Sequence, residues 1–209
     1  MQKIFKKELV KKKKKIIDKI FQECFKYKPH MASLTPGSVN FRKTRLSAND
    51  YLNSHEEIEI ITKKMNEFNI KPDVAIFDLS MIYAAEQLVR QGLIKLPIRM
   101  MYVFGGHMAL PARKEVLEFL LSETESCFGK NNFNWCAVGV GWNHDQIQRW
   151  ALEMGGQPRT GLEDTLMIKR RVYAKGNEQL VKHIVGLCDE YSKEIMTPKE
   201  AREFLQIEN

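Results

Sequence analysis

Five times along this chain a strand-like run is followed by a helical pattern, and the first four runs are nearly unbroken apolar stretches. The runs are Met31-Ala32-Ser33-Leu34, Val74-Ala75-Ile76-Phe77, Ile98 to Phe104, Trp135 to Gly141, and the stretch that opens at Gly155. In the segments between them apolar residues recur at steps of three and four, as in Ile58, Ile61, Met65 and Phe68, or Ile82, Ala85, Leu88 and Val89. A strand with one wet face alternates apolar and polar residues; these runs do not, so both of their faces are buried. Short buried strands alternating with helices predict a parallel sheet covered by helices. A unit of about 30 residues is a βα repeat rather than a solenoid repeat. Five units fall short of a closed eight-stranded barrel, which takes ~250 residues. The pattern therefore leaves two architectures, an open doubly wound sheet or part of a barrel.

In parallel α/β proteins ligands sit at the carboxyl ends of the strands. The richest such end is Gly155-Gly156-Gln157-Pro158-Arg159-Thr160-Gly161-Leu162-Glu163-Asp164-Thr165. It reads as a short strand between two helices, with Glu163 and Asp164 at its far end. The two leading glycines allow a tight entry, and Gly161 leaves room for a close approach to the backbone. Strand parity places Arg159 and Glu163 on one face. A cation, a metal ligand and a base then fall within six residues. The alternative is a strand followed by an acidic helix cap with a surface ion pair. Asp78 also closes a strand and is either a pocket carboxylate or a helix cap before Ser80.

The helix boundaries are marked. Asn53 or Ser54 can cap the first, with Glu56 and Glu57 in its first turn. Ser80 and Pro111 open the next two. Helices are expected over 145–154 and about 177–193. Thr197-Pro198-Lys199-Glu200 starts a last one with Pro in its first turn.

At 209 residues the chain has the length of one domain, and 44% apolar residues suffice for a core. The net charge of +7 is uneven. Residues 1–28 hold eleven lysines against three acids, and the remainder 22 basic against 23 acidic side chains. Residues 1–28 are expected to form a lysine-rich amphipathic helix, with 29–209 as the α/β domain. The Lys11–Lys15 block is a solvated face or an anion-binding one, and the neutral remainder speaks against nucleic acid as a partner. Cys24, Cys127, Cys136 and Cys188 show no metal-ligand spacing and read as small apolar residues of a reducing compartment. No apolar run reaches the ~18–20 residues of a membrane span. No secretory signal or membrane partner is expected, and a cytoplasmic location is the default.

The strand ends carry a resemblance. Pro29-His30-Met31-Ala32-Ser33-Leu34-Thr35-Pro36-Gly37-Ser38-Val39-Asn40-Phe41 resembles the fourth-strand motif of the β-keto acid cleavage enzymes, a family that includes the 3-keto-5-aminohexanoate cleavage enzyme of lysine fermentation. Pro72 to Met81, Trp135 to Gly141, Gly155 to Asp164, and Thr197-Pro198-x-x-Ala201-Arg202-x-x-Leu205 match in the same order. The resemblance covers about residues 29–207. It implies a zinc-dependent TIM-barrel acyltransferase, here an incomplete (β/α) barrel of about strands 4–8. The implied reaction is acetyl-CoA-dependent cleavage of a β-keto acid to acetoacetate and a new CoA thioester. By the same resemblance Glu163 is a zinc ligand, Asp164 the general base, Arg159 its assisting cation, and Asp78 a pocket carboxylate. Small β-keto acids and acetyl-CoA are the implied substrates.

The departures from the family pattern are specific. Its His-x-His zinc pair has no counterpart, since His30, His55, His107, His144 and His183 are separate. Trp142-Asn143-His144 stands where the family has a Gly-Arg loop, and Gln157-Pro158 where it has a His-containing pair. His107 and His144 fall at strand ends, as functional residues or as loop histidines. One carboxylate does not hold zinc, for which three protein ligands are usual. The family's first three strands are expected upstream of these motifs. The chain is thus expected to act as a homo-oligomer or with a complementing N-terminal half, or else as a non-catalytic, binding half-barrel.

Overall fold

The computed structural model describes residues 22, 27, 29–40, 51–105 and 110–207. The expected N-terminal helix with Lys11–Lys15, Cys24 and His107 lies outside the described residues.

Five strands form one sheet: β1 (Met31–Leu34), β2 (Lys71–Ile76), β3 (Ile98–Phe104), β4 (Phe133–Gly139) and β5 (Gln157–Pro158). Every pairing is parallel, and the strands lie side by side in chain order. A doubly wound sheet reverses its strand order at a switch point, whereas a barrel adds each strand beside the last. The consecutive order therefore decides between the two architectures that the sequence leaves open, in favour of the barrel type.

Four helices cross over between these strands: α1 (His55–Glu67), α2 (Ser80–Arg90), α3 (Lys114–Phe128) and α4 (His144–Glu153). Two more, α5 (Asn177–Glu190) and α6 (Pro198–Leu205), follow. Ser54 and Glu57 close a reciprocal capping box at α1, and Thr197 and Glu200 do the same at α6. The third helix begins at Lys114 rather than at Pro111, because Pro111 to Arg113 form a turn in which Arg113 N donates to the Pro111 carbonyl at 2.8 Å.

Alternate strand residues point to opposite faces. On the helix side Val74, Ile76, Met100, Tyr102, Phe104 and Ala137 pack into the main core with Ile82, Leu88, Leu117 and Ile147. On the other side Ala75, Met101, Val103, Cys136 and Val138 form a second buried cluster. Burial on both faces is why these strands lack polar alternation. Below that cluster, toward the strand starts, lies a polar layer. Arg99 donates to Asn134 Oδ1 at 3.1 Å and to Gln157 Oε1, and stands 3.7 Å from Asp73 Oδ1. Burial raises the pKa of the Asp73 carboxyl, and Arg99 and then Arg159 oppose the rise.

The last sheet strand departs from expectation. It covers two residues, and the chain turns out of the sheet after Arg159, whose N–H still reaches the Ala137 carbonyl at 3.1 Å. Asp164 N and Thr165 N both donate to the Gly161 carbonyl, and Leu162 N donates to Asn177 Oδ1. These bonds take the place of a strand ladder beyond Arg159. A two-stranded hairpin, β6 (Met167–Lys169) with β7 (Val172–Tyr173), intervenes before α5. Gly155 takes the tight entry at φ +83°, while Gly156 abuts the Trp135 ring and has no room for a side chain. At Gly161 a side chain would meet only ordinary contact, so no close approach requires that glycine.

Candidate active site

The site forms where the ends of β4 and β5 meet the start of α4. Gly139 makes this possible. A Cβ there would lie 2.9 Å from the backbone of Asn143 and His144, so only glycine lets the first turn of α4 press against the strand end. One 3-10 turn, Gly141–Asn143, links them. Gly141 N donates to the Asp164 carbonyl at 2.8 Å, and Thr165 Oγ1 donates to the Gly141 carbonyl at 3.1 Å. The loop after β4 and the turn after β5 are thereby stitched together.

Arg159 sits at the centre. Its Nε donates to Asp164 Oδ2 at 3.2 Å and its Nη2 to Asp164 Oδ1 at 3.1 Å, a two-pronged grip. The same Nη2 donates to Glu163 Oε2 at 2.8 Å, and Nη1 rests on Met101 Sδ of the inner face. Glu163 and Arg159 thus meet through a turn rather than through strand parity. The two acids differ in setting: the Asp164 side chain is 9% exposed and that of Glu163 is 84% exposed. Burial raises the Asp164 pKa above the ordinary carboxylate value, with the Arg159 charge and hydrogen bonds opposing it. A buried carboxylate with a raised pKa beside a fixed cation is suited to taking a proton from carbon while the cation receives the resulting negative charge.

Asp78 stands past the end of β2, exposed, and its Oδ1 accepts the Ser80 N–H at 2.8 Å. It caps α2, which is the helix-cap alternative of the sequence. His144 is 2% exposed, which the loop-histidine alternative does not anticipate. Its Nδ1 lies 2.8 Å from the Gly139 carbonyl and its Nε2 2.8 Å from Thr160 Oγ1. Gln148, one turn further along α4, donates to the Arg159 carbonyl at 2.6 Å. Sequence reasoning missed Gln148 and Thr160; the His144–Gln148 spacing of four, which shares one helix face, was the available signal. His55 pairs with Glu59 at 3.2 Å and His183 with Asp145 at 2.6 Å.

Zinc calls for three protein donors. Among the described residues no three His, Cys, Asp or Glu side chains are grouped to hold a metal ion. Glu163 and Asp164 are instead both engaged by Arg159. The described residues do not fit zinc. A cavity of about 880 Å³ opens at the opposite end of the sheet, between the strand starts and α6, lined in part by Lys71, Arg99, Lys199 and Arg202. Its lining does not include Arg159, Glu163 or Asp164.

Fold and site together describe a parallel, barrel-type α/β protein with a cation-gripped carboxylate at its strand ends. The chain matches the family model of the beta-keto acid cleavage enzymes over residues 9–207, and it belongs to that family. It is 35% identical over 178 residues to the 3-oxoadipate:acetyl-CoA acetyltransferase of Cupriavidus necator, covering 85% of this chain and 60% of the relative. It is 34% identical to the 3-keto-5-aminohexanoate cleavage enzyme of Fusobacterium nucleatum, covering 86% of this chain and 62% of the relative. The chain therefore spans about three fifths of the length of these curated relatives. A solved structure titled "Apo structure of ObcA" superposes with a TM-score of 0.70 at 17% identity, covering 85% of this chain and 44% of that one, a likeness of fold. Among the described residues no helix is long and apolar enough to cross a membrane.

Proposed function

We propose that this chain carries the proton-transfer half of an acetyl-CoA-dependent β-keto acid cleavage site. The observation that supports it is the two-pronged grip of Arg159 on the nearly buried Asp164. The carbon between a keto group and a carboxylate is acidic. Asp164 takes its proton, and Arg159 stabilises the enolate. The enolate carbon accepts the acetyl group of acetyl-CoA and releases the CoA thiolate. The thiolate attacks the original keto carbon, and the bond between that carbon and the acetylated one breaks. The carbanion released takes back the proton held by Asp164, giving acetoacetate and a new CoA thioester, so atoms balance without an oxidant or a reductant. Asp78, at the same end of the sheet, is proposed as a pocket carboxylate in addition to its cap.

We place the working enzyme in an assembly, either a homo-oligomer or a complex with a complementing N-terminal half. A small β-keto acid such as 3-keto-5-aminohexanoate and acetyl-CoA are its substrates. Zinc remains the part of the family resemblance that Arg159, Glu163 and Asp164 do not accommodate as they stand. The proton transfer described here uses only Arg159 and Asp164.

The test is thioester formation from acetyl-CoA and a panel of β-keto acids, with the chain alone and mixed with an N-terminal segment of a relative. Activity in either case that is lost in Asp164→Asn supports the proposal. Activity equal in wild type and Asp164→Asn overturns it. A second reading, a binding half-barrel without chemistry, is favoured by the engagement of both acids by Arg159. Substrate-dependent thioester formation would rule it out.

A further inference from the structure

The Arg159 guanidinium is gripped by Asp164 and Glu163 of its own turn, but the backbone it reaches from is held from outside that turn. Leaving the sheet after two residues, the chain at 159–161 has lost its strand partner on the carbonyl side. That carbonyl is taken up by the Gln148 side chain at 2.6 Å. The next side chain, Thr160, is taken up by His144 at 2.8 Å. The Arg159 N–H is bonded to the Ala137 carbonyl. Both backbone polar groups of Arg159 and the hydroxyl beside it are therefore anchored, two of the three by the first turns of α4.

The chemistry of the acceptors fixes the state of each group. The Gly139 carbonyl only accepts, so His144 Nδ1 carries the proton and Nε2 is left with one lone pair. That lone pair accepts the Thr160 hydroxyl. The Arg159 carbonyl likewise only accepts, so the Gln148 amide nitrogen faces it and its oxygen points away. Gln148 is fully buried, and its Oε1 has no hydrogen-bond partner among the described residues. A buried acceptor without a partner opposes folding, and an apolar side chain of the same length would avoid that cost. The residue is thus not the choice that stability alone would make. Its amide nitrogen does what an apolar side chain cannot, which is to hold Arg159.

We propose that Gln148 and His144 are positioning residues that fix Arg159 for its work on Asp164. This rests on the reading of Arg159 and Asp164 as the proton-handling pair. The anchoring itself does not depend on turnover and can be measured separately. The decisive variant is Gln148→Met, which keeps length and apolar volume, removes the donor and also removes the unpartnered oxygen.

The readouts are urea stability and solvent exchange of the Arg159 Nε–H by proton–nitrogen NMR on the full chain. Stability equal to or above wild type, with Arg159 Nε–H exchange faster by about tenfold or more, is the expected pair of results. Exchange unchanged in the folded variant overturns the proposal. So does a variant whose only change is lower stability, because a merely structural glutamine would behave that way. Should Gln148→Met not fold, the proposal is overturned as well, since it requires an apolar replacement to be tolerated. His144 is tested in wild type by its ring nitrogen signals. The expected result is a neutral ring protonated at Nδ1 at neutral pH, and an imidazolium or an Nε2–H ring overturns its assigned part. Failure of the functional reading is seen elsewhere, as equal thioester formation by wild type and Asp164→Asn. The exchange result stands whichever way that assay falls.

Discussion

Arg159 grips Asp164 with Nε and Nη2 at 3.2 and 3.1 Å, one donor to each carboxylate oxygen. Only a guanidinium offers that fork, so Arg159→Lys is not a conservative change. Asp164 must be ionised to accept a proton, and burial lifts its pKa above the carboxylate value. The rate is therefore expected to climb with pH, with its midpoint above ~4. Removing the opposing charge in Arg159→Gln should move that midpoint higher still, and Asp164→Asn should lower kcat by ~10²–10⁴-fold. A pH profile of thioester formation checks all three. A midpoint that moves down in Arg159→Gln would contradict the assignment.

Glu163 separates stability from function. Its side chain is 84% exposed and its partner Arg159 is already committed to Asp164. Glu163→Ala should leave unfolding free energy within about 0.5 kcal/mol of wild type. If Glu163 is a metal ligand in the assembled enzyme, the same variant abolishes turnover and lowers zinc content by elemental analysis. Unchanged turnover and unchanged metal content would restrict Glu163 to its ion pair.

The architecture was legible wherever one local rule decided it. Ile98 to Phe104 is a strand with the bounds its apolar run indicates. Met31 to Leu34 likewise matches, and Ser54-x-x-Glu57 and Thr197-Pro198-x-Glu200 cap their helices as written. What was not legible depends on distant partners. The early end of β5 is set by Asn177 Oδ1 taking the Leu162 N–H and by the Gly161 carbonyl taking two donors. Strand parity placed Arg159 and Glu163 together for the wrong reason, since a turn brings them into contact. The burial of His144 follows from the missing side chain of Gly139, which a reader of either residue alone would not connect. The layer of Asp73, Arg99, Asn134 and Gln157 joins three crossovers. Nothing in any one strand marks its member as part of a shared layer.

Asp78 tests the cap against the pocket. Its Oδ1 accepts the Ser80 N–H at 2.8 Å at the start of α2, where no cap comes from Leu79. Asp78→Ala should cost ~1 kcal/mol in urea unfolding, and Asp78→Asn should restore most of it, because asparagine caps equally well. Turnover distinguishes the roles. An Asn variant of normal stability and lowered kcat or raised KM assigns a pocket role beyond the cap.

His144 predicts an acid-side loss of stability. Burial lowers its pKa, and hydrogen bonding to the Gly139 carbonyl, the charges of Asp164 and Asp145, and His183 modify that shift. The folded state therefore binds the proton less readily than the unfolded chain. Its contribution is complete above the unfolded value of ~6.5 and declines as pH falls from there toward the lower folded value. Urea midpoints from neutral to mildly acid pH should show this decline, and it should be smaller in a folded His144→Gln variant. An equal decline in both would place the effect on another group.

Tyr102 and Thr124 give the sharpest stability prediction, because both are fully buried and the proton order is determined. Thr124 Oγ1 donates to the Leu120 carbonyl at 2.8 Å, and the two hydroxyls are 2.6 Å apart. The threonine proton is thereby spent, so the tyrosine hydroxyl is the donor between them. Burial raises the Tyr102 pKa well above the ordinary phenol, which keeps that proton in place. Tyr102→Phe removes a donor and leaves Thr124 still bonded to Leu120, at a cost of about 1 kcal/mol. Thr124→Val strands the phenol O–H in the core without an acceptor, at ~1–3 kcal/mol. The double variant should cost less than the sum, since the stranded donor is then gone. Urea unfolding of the three variants checks the order. A larger loss in Tyr102→Phe than in Thr124→Val would show that the phenol proton is directed elsewhere.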